Sequence, residues 1–373
     1  MVKNELQKFL IQHKAHKMTD KELLNLMKKL NIKVKFENGL VMFMYNDWAD
    51  FSNKVVQNCR GIILYREDFS IACYPFNKFN NYTSSLADEI DWKSAVVQEK
   101  LDGQILKLWF NRITNNWVLS SDSCIYAAES RIKSGRKMGW LFNEVCKSKI
   151  DYDKLNENKT YMFEITSPYN KIVINYKETD IWHIGTRDNL TQKEENTDIG
   201  IQKPKNYKIK SLEDAVETIN KISIPEDRHE GFVVVDKDYN RIKVKCQYYF
   251  DNKELMGKLN GNKETILEFI DNNNIDAILR KVPEMRSKVE YYSEQLTKIR
   301  QNIEKCIPHC TELKGQYKKI NYIEKVNQYT KENNMENLNG LMFSYYDSNK
   351  TIEEFINDLD KKKIYNLIKE YKE

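Results

Sequence analysis

The polar and apolar positions of this 373-residue chain change rhythm twice. In the first thirty residues Leu6, Phe9, Leu10, Leu23, Leu24, Met27 and Leu30 recur at intervals of three and four, the spacing of one helix face. Short apolar or alternating runs then take over: Gly61 to Tyr65, Val96 to Glu99, Gln104 to Phe110, Trp117 to Ser120, Thr160 to Ile165, Ile172 to Tyr176, Ile181 to Gly185, Phe232 to Val235 and Ile242 to Cys246. Each has the length and the bounding residues of a strand, and turns such as Lys237 to Asn240 join them as hairpins. Helical spacing returns at Glu129 to Lys147 and Leu212 to Ile222, so residues 1–253 are expected to form an α+β domain dominated by antiparallel sheet. From residue 254 the strand pattern ends. Helices are predicted at Lys263 to Ile270, Ile275 to Val282, Glu284 to Ile307, Tyr317 to Asn333 and Ile352 to Tyr371, with Asn272 to Asn274, Pro308 and Asn333 to Gly340 as breaks. Residues 254–373 are therefore expected to be an all-α second domain.

Composition narrows the class. With 40% hydrophobic and 31% charged residues, 12 Gly and 6 Pro, the chain is globular and neither disordered nor collagen-like. Its 60 Lys and Arg against 55 Asp and Glu leave a charge of only +5. From Glu254 onward there are 20 basic and 20 acidic residues, so the whole excess belongs to the β-rich part. Arg280 to Lys319, with ten basic residues against five acidic, reads first as a solvated helix face and second as a contact for a phosphate backbone. No stretch resembles a signal peptide or the roughly 18 apolar residues that span a bilayer. Seven scattered cysteines are expected to be reduced thiols, and with those absences the expected setting is the cytoplasm or a similar reducing compartment. Cys306, His309 and Cys310 lack the second ligand pair that a structural zinc needs.

Chemistry concentrates in a few short segments. Lys100-Leu-Asp102-Gly103 lies between two predicted strands, where a tight turn would hold the lysine by backbone rather than on a loose loop. Alone it is a weak signal, equally a surface hairpin. Further segments accompany it: Arg60-Gly61, Lys78-Phe79-Asn80, Phe163-Glu164, the run from Ser167 to Tyr176, Glu230-Gly231, and Lys243-Val-Lys245. Lysines two apart on a strand share a face, which is unfavourable if that face is buried unless an anion lies between them.

Lys100-Leu-Asp-Gly103, Phe163-Glu164, Glu230-Gly231 and Lys243-Val-Lys245 resemble, in order and spacing, motifs I, III, IV and V of the covalent nucleotidyltransferases, the polynucleotide ligases and mRNA capping enzymes. Phe43-Met-Tyr45-Asn46, Arg60-Gly61, Lys78-Phe79-Asn80 and the Ser167 to Tyr176 run narrow the resemblance to the bacteriophage type 1 RNA ligases, which repair broken tRNA. It covers roughly residues 40 to 250. The resemblance implies a nucleotidyltransferase domain at 1–253 and a helical domain at 254–373 that helps select RNA.

The activity so implied is an ATP-dependent RNA ligase that joins 3′-hydroxyl and 5′-phosphate ends through lysyl-AMP and an adenylated RNA end. Magnesium is its cofactor, nicked tRNA its expected substrate, and an end-healing kinase/phosphatase its expected partner. Lys100 would be the nucleophile. Neighbouring cations such as Lys243, Lys245 and bound magnesium would lower its pKa, and the same two lysines suit the charge on the α-phosphate. Asp102 would orient the reacting group, Glu164 accept a ribose hydroxyl, and Glu230 hold metal through water. Arg60 and Lys78 would hold phosphate oxygens or the RNA 5′-phosphate, and Tyr45 and Val233 would line the base pocket. Two features depart from the family pattern or match it loosely. Ser121-Asp122-Ser123-Cys124 stands where a basic step is expected, which shifts attention to Lys107. Asp276 is the nearest match to a metal-associated aspartate, with an ordinary helix-surface carboxylate as the plainer alternative. A capping guanylyltransferase, a DNA ligase and a non-catalytic RNA-binding relative share parts of the pattern, although the helical tail disfavours the first two. His183 and Trp109, Trp117 and Trp182 read as sheet and core residues, and Lys361 to Lys363 as a solvated face.

Overall fold

A computed structural model describes all residues except 1, 133, 147–148, 224–228, 260, 274, 282–284, 352–353, 356–358 and 372–373. The chain divides into two compact units, Met1–Phe250 and Asp251–Glu373.

The first unit opens with helices α1 (Glu5–Gln12) and α2 (Asp20–Lys28), each started by a capping box, Asn4 with Gln7 and Thr19 with Glu22. Their apolar stripe, Leu6, Leu10, Leu23 and Met27, packs against Val41, Phe43, Ile62 and Leu64 of a four-stranded antiparallel sheet. That sheet consists of β1 (Ile32–Glu37), β2 (Leu40–Tyr45), β3 (Arg60–Tyr65) and β4 (Ile71–Cys73), with α3 (Lys54–Asn58) between β2 and β3. The β1–β2 hairpin turns on Asn38 and Gly39, both at positive φ, the backbone that a tight two-residue turn requires.

The other strands are β5 (Asn80–Asn81), β6 (Val96–Lys100), β7 (Gln104–Asn111), β8 (Asn116–Ser121), β9 (Lys159–Thr166), β10 (Asp180–Asp188), β11 (Glu194–Glu195), β12 (Asn206–Tyr207), β13 (Gly231–Val235) and β14 (Arg241–Lys245). They form two five-stranded sheets, ordered β11-β10-β9-β7-β8 and β12-β6-β13-β14-β5. Among the described residues only the two-residue β5–β14 pairing is parallel. In the first of these sheets β9 is central and buried along nearly its whole length, and Phe163, Leu106 and Ile181 pack with Leu141 and Phe142 of α4 (Met138–Cys146). In the second, Val97, Phe232, Val234, Ile242 and Val244 cover Ala215 and Ile219 of α5 (Leu212–Ile222). Each such buried side chain contributes about 1.5–3 kcal/mol. The alternate residues of these strands are thereby turned to the opposite face.

Helix α6 (Gln247–Leu259) follows β14. The second unit adds α7 (Lys263–Asp271), α8 (Ile275–Lys281), α9 (Arg286–Gln316), α10 (Lys319–Glu332), α11 (Asn339–Tyr346) and α12 (Lys361–Asn366), and its described residues contain no strand.

Three expectations need correction. Pro308 does not end α9, because Ile303, Ile307, Cys310 and Leu313 carry one buried stripe past it and offset the roughly 3 kcal/mol that an interior proline costs. The run Ile172 to Tyr176 is not a strand, since the N–H groups of Val173 and Ile174 donate to a carboxylate instead of a ladder. The helix expected over Glu129 to Lys147 begins only at Met138, after a turn with Gly135 at φ +80°. Of the helix expected from Ile352, residues 352–353 and 356–358 lie outside the described residues, and Lys361–Asn366 is helical. In the stretch from Arg280 to Lys319, residues 282–284 likewise lie outside them.

Candidate active site

Strand register gathers the site. Gly231 on β13 stands opposite Lys100 on β6 and Lys245 on β14, while Val233 stands opposite Gln98 and Lys243. Partners in antiparallel register share a face, so Lys100, Lys245, Lys243 and Val233 emerge together on the side away from the Phe232 and Val234 core. Gly231 is required at the crossing. Its φ is +153°, and an added Cβ would collide with the Val244 carbonyl oxygen.

Glu230 sits one residue before this strand, only 3% exposed. Its Oε2 accepts from Lys100 Nζ at 2.8 Å and its Oε1 faces Lys245 Nζ at 2.7 Å. The anion that the paired lysines demanded is therefore a side chain, and it bridges Lys100 to one of them. With Lys243 and Lys245 as its neighbouring cations, Lys100 is not lowered. Burial works to lower its pKa, but Glu230, Glu164 and Asp102 together outweigh burial and hold the ammonium above the ordinary lysine value. The lowered lysine is Lys243, brought down to about 7 by burial and by Arg60, Lys100, Lys245 and Lys78.

Asp102 is a buried anchor. Its Oδ2 accepts from the backbone N–H groups of Val173 and Ile174 at 2.7 and 2.6 Å, and its Oδ1 from the Tyr249 hydroxyl at 2.7 Å. Its own N–H donates to the Tyr176 hydroxyl at 3.0 Å. These bonds make Asp102 a positioning residue that ties the loop after β9 and the start of α6 to the lysine's own turn. On β9, Glu164 accepts from Gly103 N at 3.1 Å and is buried. Burial pushes its carboxyl up to about 7, opposed by Lys100 and reinforced by Glu230.

A second group comes from β3 and the segment after β4. Arg60 and Lys243 both lie on the Phe79 ring, 5.4 and 4.6 Å from its centre. Lys78 lies on Phe51 at 4.0 Å and near Tyr45 at 5.7 Å, and those two rings meet edge to face. Burial, followed by Arg60, lowers the Lys78 pKa. Tyr45 thus supports Lys78, while Val233 shares the face with the lysines. The unexpected Asp122 pairs with Arg60 at 3.4 Å and with Lys107 at 3.6 Å. Lys107 is fully buried and donates to the Gly61 carbonyl at 2.8 Å, so it offers no cation to a ligand.

Asp276 lies on α8 of the helical unit. Among the described residues no three His, Cys, Asp or Glu side chains group to hold an ion. The Cys306 and Cys310 thiols are buried and 3.6 Å apart. His183 packs on Tyr161 and Phe163, its pKa brought down to about 4 by burial. The chain pattern left Phe79, Phe51, Tyr176 and Tyr249 without roles. Phe79, next to Lys78, had the clearest local signal, whereas Tyr249 stands 147 positions from the aspartate that it contacts.

The antiparallel-sheet unit thus gathers Lys100, Lys243, Lys245 and Arg60 around the buried carboxylates Glu230 and Glu164. The family described as RNA ligase matches residues 58–253, just over half of the chain, and this protein belongs to that family. An RNA ligase of Rhodothermus phage RM378 is 24% identical over 374 positions, covering 79% of this chain and 82% of its own. A protein of Autographa californica nuclear polyhedrosis virus, named as a bifunctional polynucleotide kinase/RNA ligase, is 23% identical over 311 positions. That match covers 75% of this chain, which spans 43% of the viral protein. A solved archaeal ATP-dependent RNA ligase aligns over 80% of this chain and 83% of its own at 10% identity, with a TM-score of 0.47. Among the described residues no helix is long and apolar enough to cross a membrane.

Proposed function

We propose that the protein is an ATP-dependent RNA ligase acting through Lys100, within an adenylyltransferase domain of about residues 1–253. The observation that carries the reading is the Lys100–Glu230–Lys245 bridge in a chain of the RNA ligase family. Lys100 Nζ attacks the α-phosphorus of ATP; the N–P bond forms, the bond to the β-phosphate oxygen breaks, and pyrophosphate leaves. The ammonium must first lose a proton, and Glu230 Oε2, 2.8 Å away, is the acceptor within reach. Lys243, Lys245 and Arg60 balance the charge on the transferring phosphate, Lys78 that on the leaving pyrophosphate. Glu164 suits a ribose hydroxyl. AMP then passes to the RNA 5′-phosphate, and the RNA 3′-hydroxyl displaces it.

Glu230 and Glu164 are the carboxylates that would hold a magnesium ion, and since no three described His, Cys, Asp or Glu side chains group together, the ion would be shared with the nucleotide's phosphates. It would supply neutralisation of the phosphate charge. The ends to be joined are RNA, nicked tRNA first among them, with the helical domain from residue 254 choosing the substrate. Making 5′-phosphate and 3′-hydroxyl ends calls for a kinase/phosphatase, and the viral relative's name carries a polynucleotide kinase beside the ligase. Seven free thiols suit a cytoplasmic setting.

Incubation with labelled ATP and magnesium should leave an acid-stable label on the protein that Lys100→Ala abolishes. An unlabelled wild-type band, or labelling by GTP in place of ATP, overturns the reading.

A further inference from the structure

Phe79 closes one end of the lysine cluster and opens onto a second space. Together with Lys78 it lines a cavity of about 660 Å³ bounded by the β10–β11 and β13–β14 hairpins. Inside, Arg187 Nη2 and Arg241 Nη2 approach the two oxygens of a single carboxylate, Glu194, at 2.5 and 2.7 Å. These side chains are only 6%, 10% and 8% exposed, respectively. Two guanidiniums sharing one carboxylate leave a surplus positive charge out of water, an unfavourable arrangement until another anion arrives.

Arg187 Nε is buried and has no hydrogen-bond partner, so a donor of a planar fork suited to phosphate stands unused. The two forks are preorganised, with Arg187 on the Tyr74 ring at 4.1 Å and Arg241 on Phe76 at 4.3 Å. Lys193 and Lys237 add charge at the rim, and the lining as a whole carries five cations against three carboxylates. Tyr239, 36% exposed in the β13–β14 turn, presents a ring on which a base can stack.

We propose that this cavity binds the first nucleotides of the RNA strand that carries the 5′-phosphate, gripping their phosphodiesters with Arg187, Arg241 and the rim lysines. The proposal rests on the ligase reading above. Phe79, shared by the cavity and by the ring contacts of Arg60 and Lys243, makes the path from the reacting phosphate continuous. A triphosphate tail alone would leave most of the space empty, since whole small-molecule ligands fill sites of roughly 300–1,000 Å³, and it would have no use for Tyr239.

The test uses the full chain and 5′-phosphorylated single-stranded RNAs of one to ten nucleotides. Binding is read by fluorescence anisotropy over a range of salt, with AMP labelling of Lys100 measured alongside. Wild-type affinity should rise over the first few nucleotides and then level off. The rim variant Lys193→Glu with Lys237→Glu should bind the longer RNAs at least tenfold more weakly, and its salt slope should fall by about 1.4, two phosphates at about 0.7 each. Labelling and the KM for ATP should hold. Tyr239→Ala should weaken binding without changing the slope. Unchanged RNA affinity and slope in the rim variant overturn the proposal. So does a raised KM for ATP with unchanged RNA binding, which assigns the cavity to the triphosphate. A wild-type chain that takes no label, yet loses RNA affinity in the rim variant, upholds the cavity and sinks the ligase reading instead.

Discussion

Replacing Glu230 by Gln keeps the shape of the bridge and removes its charge. The carboxylate stands 2.8 Å from Lys100 Nζ and 2.7 Å from Lys245 Nζ. Coulomb's law at an effective dielectric near 20 gives about 6 kcal/mol for each contact, against which the desolvation of all three groups acts. The net loss on breaking a buried pair is about 3–5 kcal/mol. At about 2–4 °C per kcal/mol, Tm should fall by on the order of 10 °C at pH 8. The pH dependence separates charge from shape. In the wild type the Lys100 pKa is raised, so the bridge contributes fully below the unfolded lysine value of about 10.4 and fades as pH climbs through the raised one. In Glu230→Gln the pull of this carboxylate on the ammonium is gone while Glu164 and Asp102 remain, so the Lys100 pKa falls below its wild-type position and the pH-dependent contribution of the bridge is lost. Thermal unfolding of both proteins from pH 7 to 11 should therefore show a gap that is widest near pH 7 and closes at high pH. An undiminished gap across that range, or none at pH 7, would refute the electrostatic account. The acid limb of the AMP-labelling rate should also move to lower pH.

Further outcomes follow from the same geometry. Gly231→Ala drives a Cβ into the Val244 carbonyl at φ +153°, so unfolding should fall by about 3 kcal/mol or more; a variant as stable as the wild type in urea contradicts the assigned backbone. For Glu164, whose carboxyl is pushed up to about 7, ionisation disfavours the fold as pH rises from about 4.3 to 7. Glu164→Gln, which can still accept from Gly103, should be more stable than the wild type above pH 7, on the order of 3 kcal/mol by urea titration, and level with it near pH 4. A bound triphosphate should raise the Lys243 pKa from about 7, so ATP binding at pH 8 should take up protons. Calorimetry in buffers of different ionisation enthalpy measures that uptake, and Lys243→Met should remove it.

Much of the site was legible because its chemistry sits in short segments. Lys100-x-Asp102-Gly103, Glu230-Gly231 and Lys243-x-Lys245 are local in sequence, and the two-residue period of a strand already puts Lys243 and Lys245 on one face. The strand cores with Phe232 to Val235 and Ile242 to Cys246 were readable for the same reason. Where readings failed, a distant group had intervened. Asp102 took the donors that would have made Ile172 to Tyr176 a strand, and a continuous buried stripe carried α9 through Pro308.

By itself the sequence determined which groups are present, their order, and the change from β-rich to helical near residue 254. Tertiary structure alone decided that Glu230 bridges Lys100, 130 positions away, to Lys245. With that it decided that Lys100 is raised and Lys243 lowered. It also brought Arg187 and Arg241 to one carboxylate. Periodicity specifies the face on which a side chain lies, whereas a pKa depends on distance and burial among charges, and those are set only when separate strands come into register.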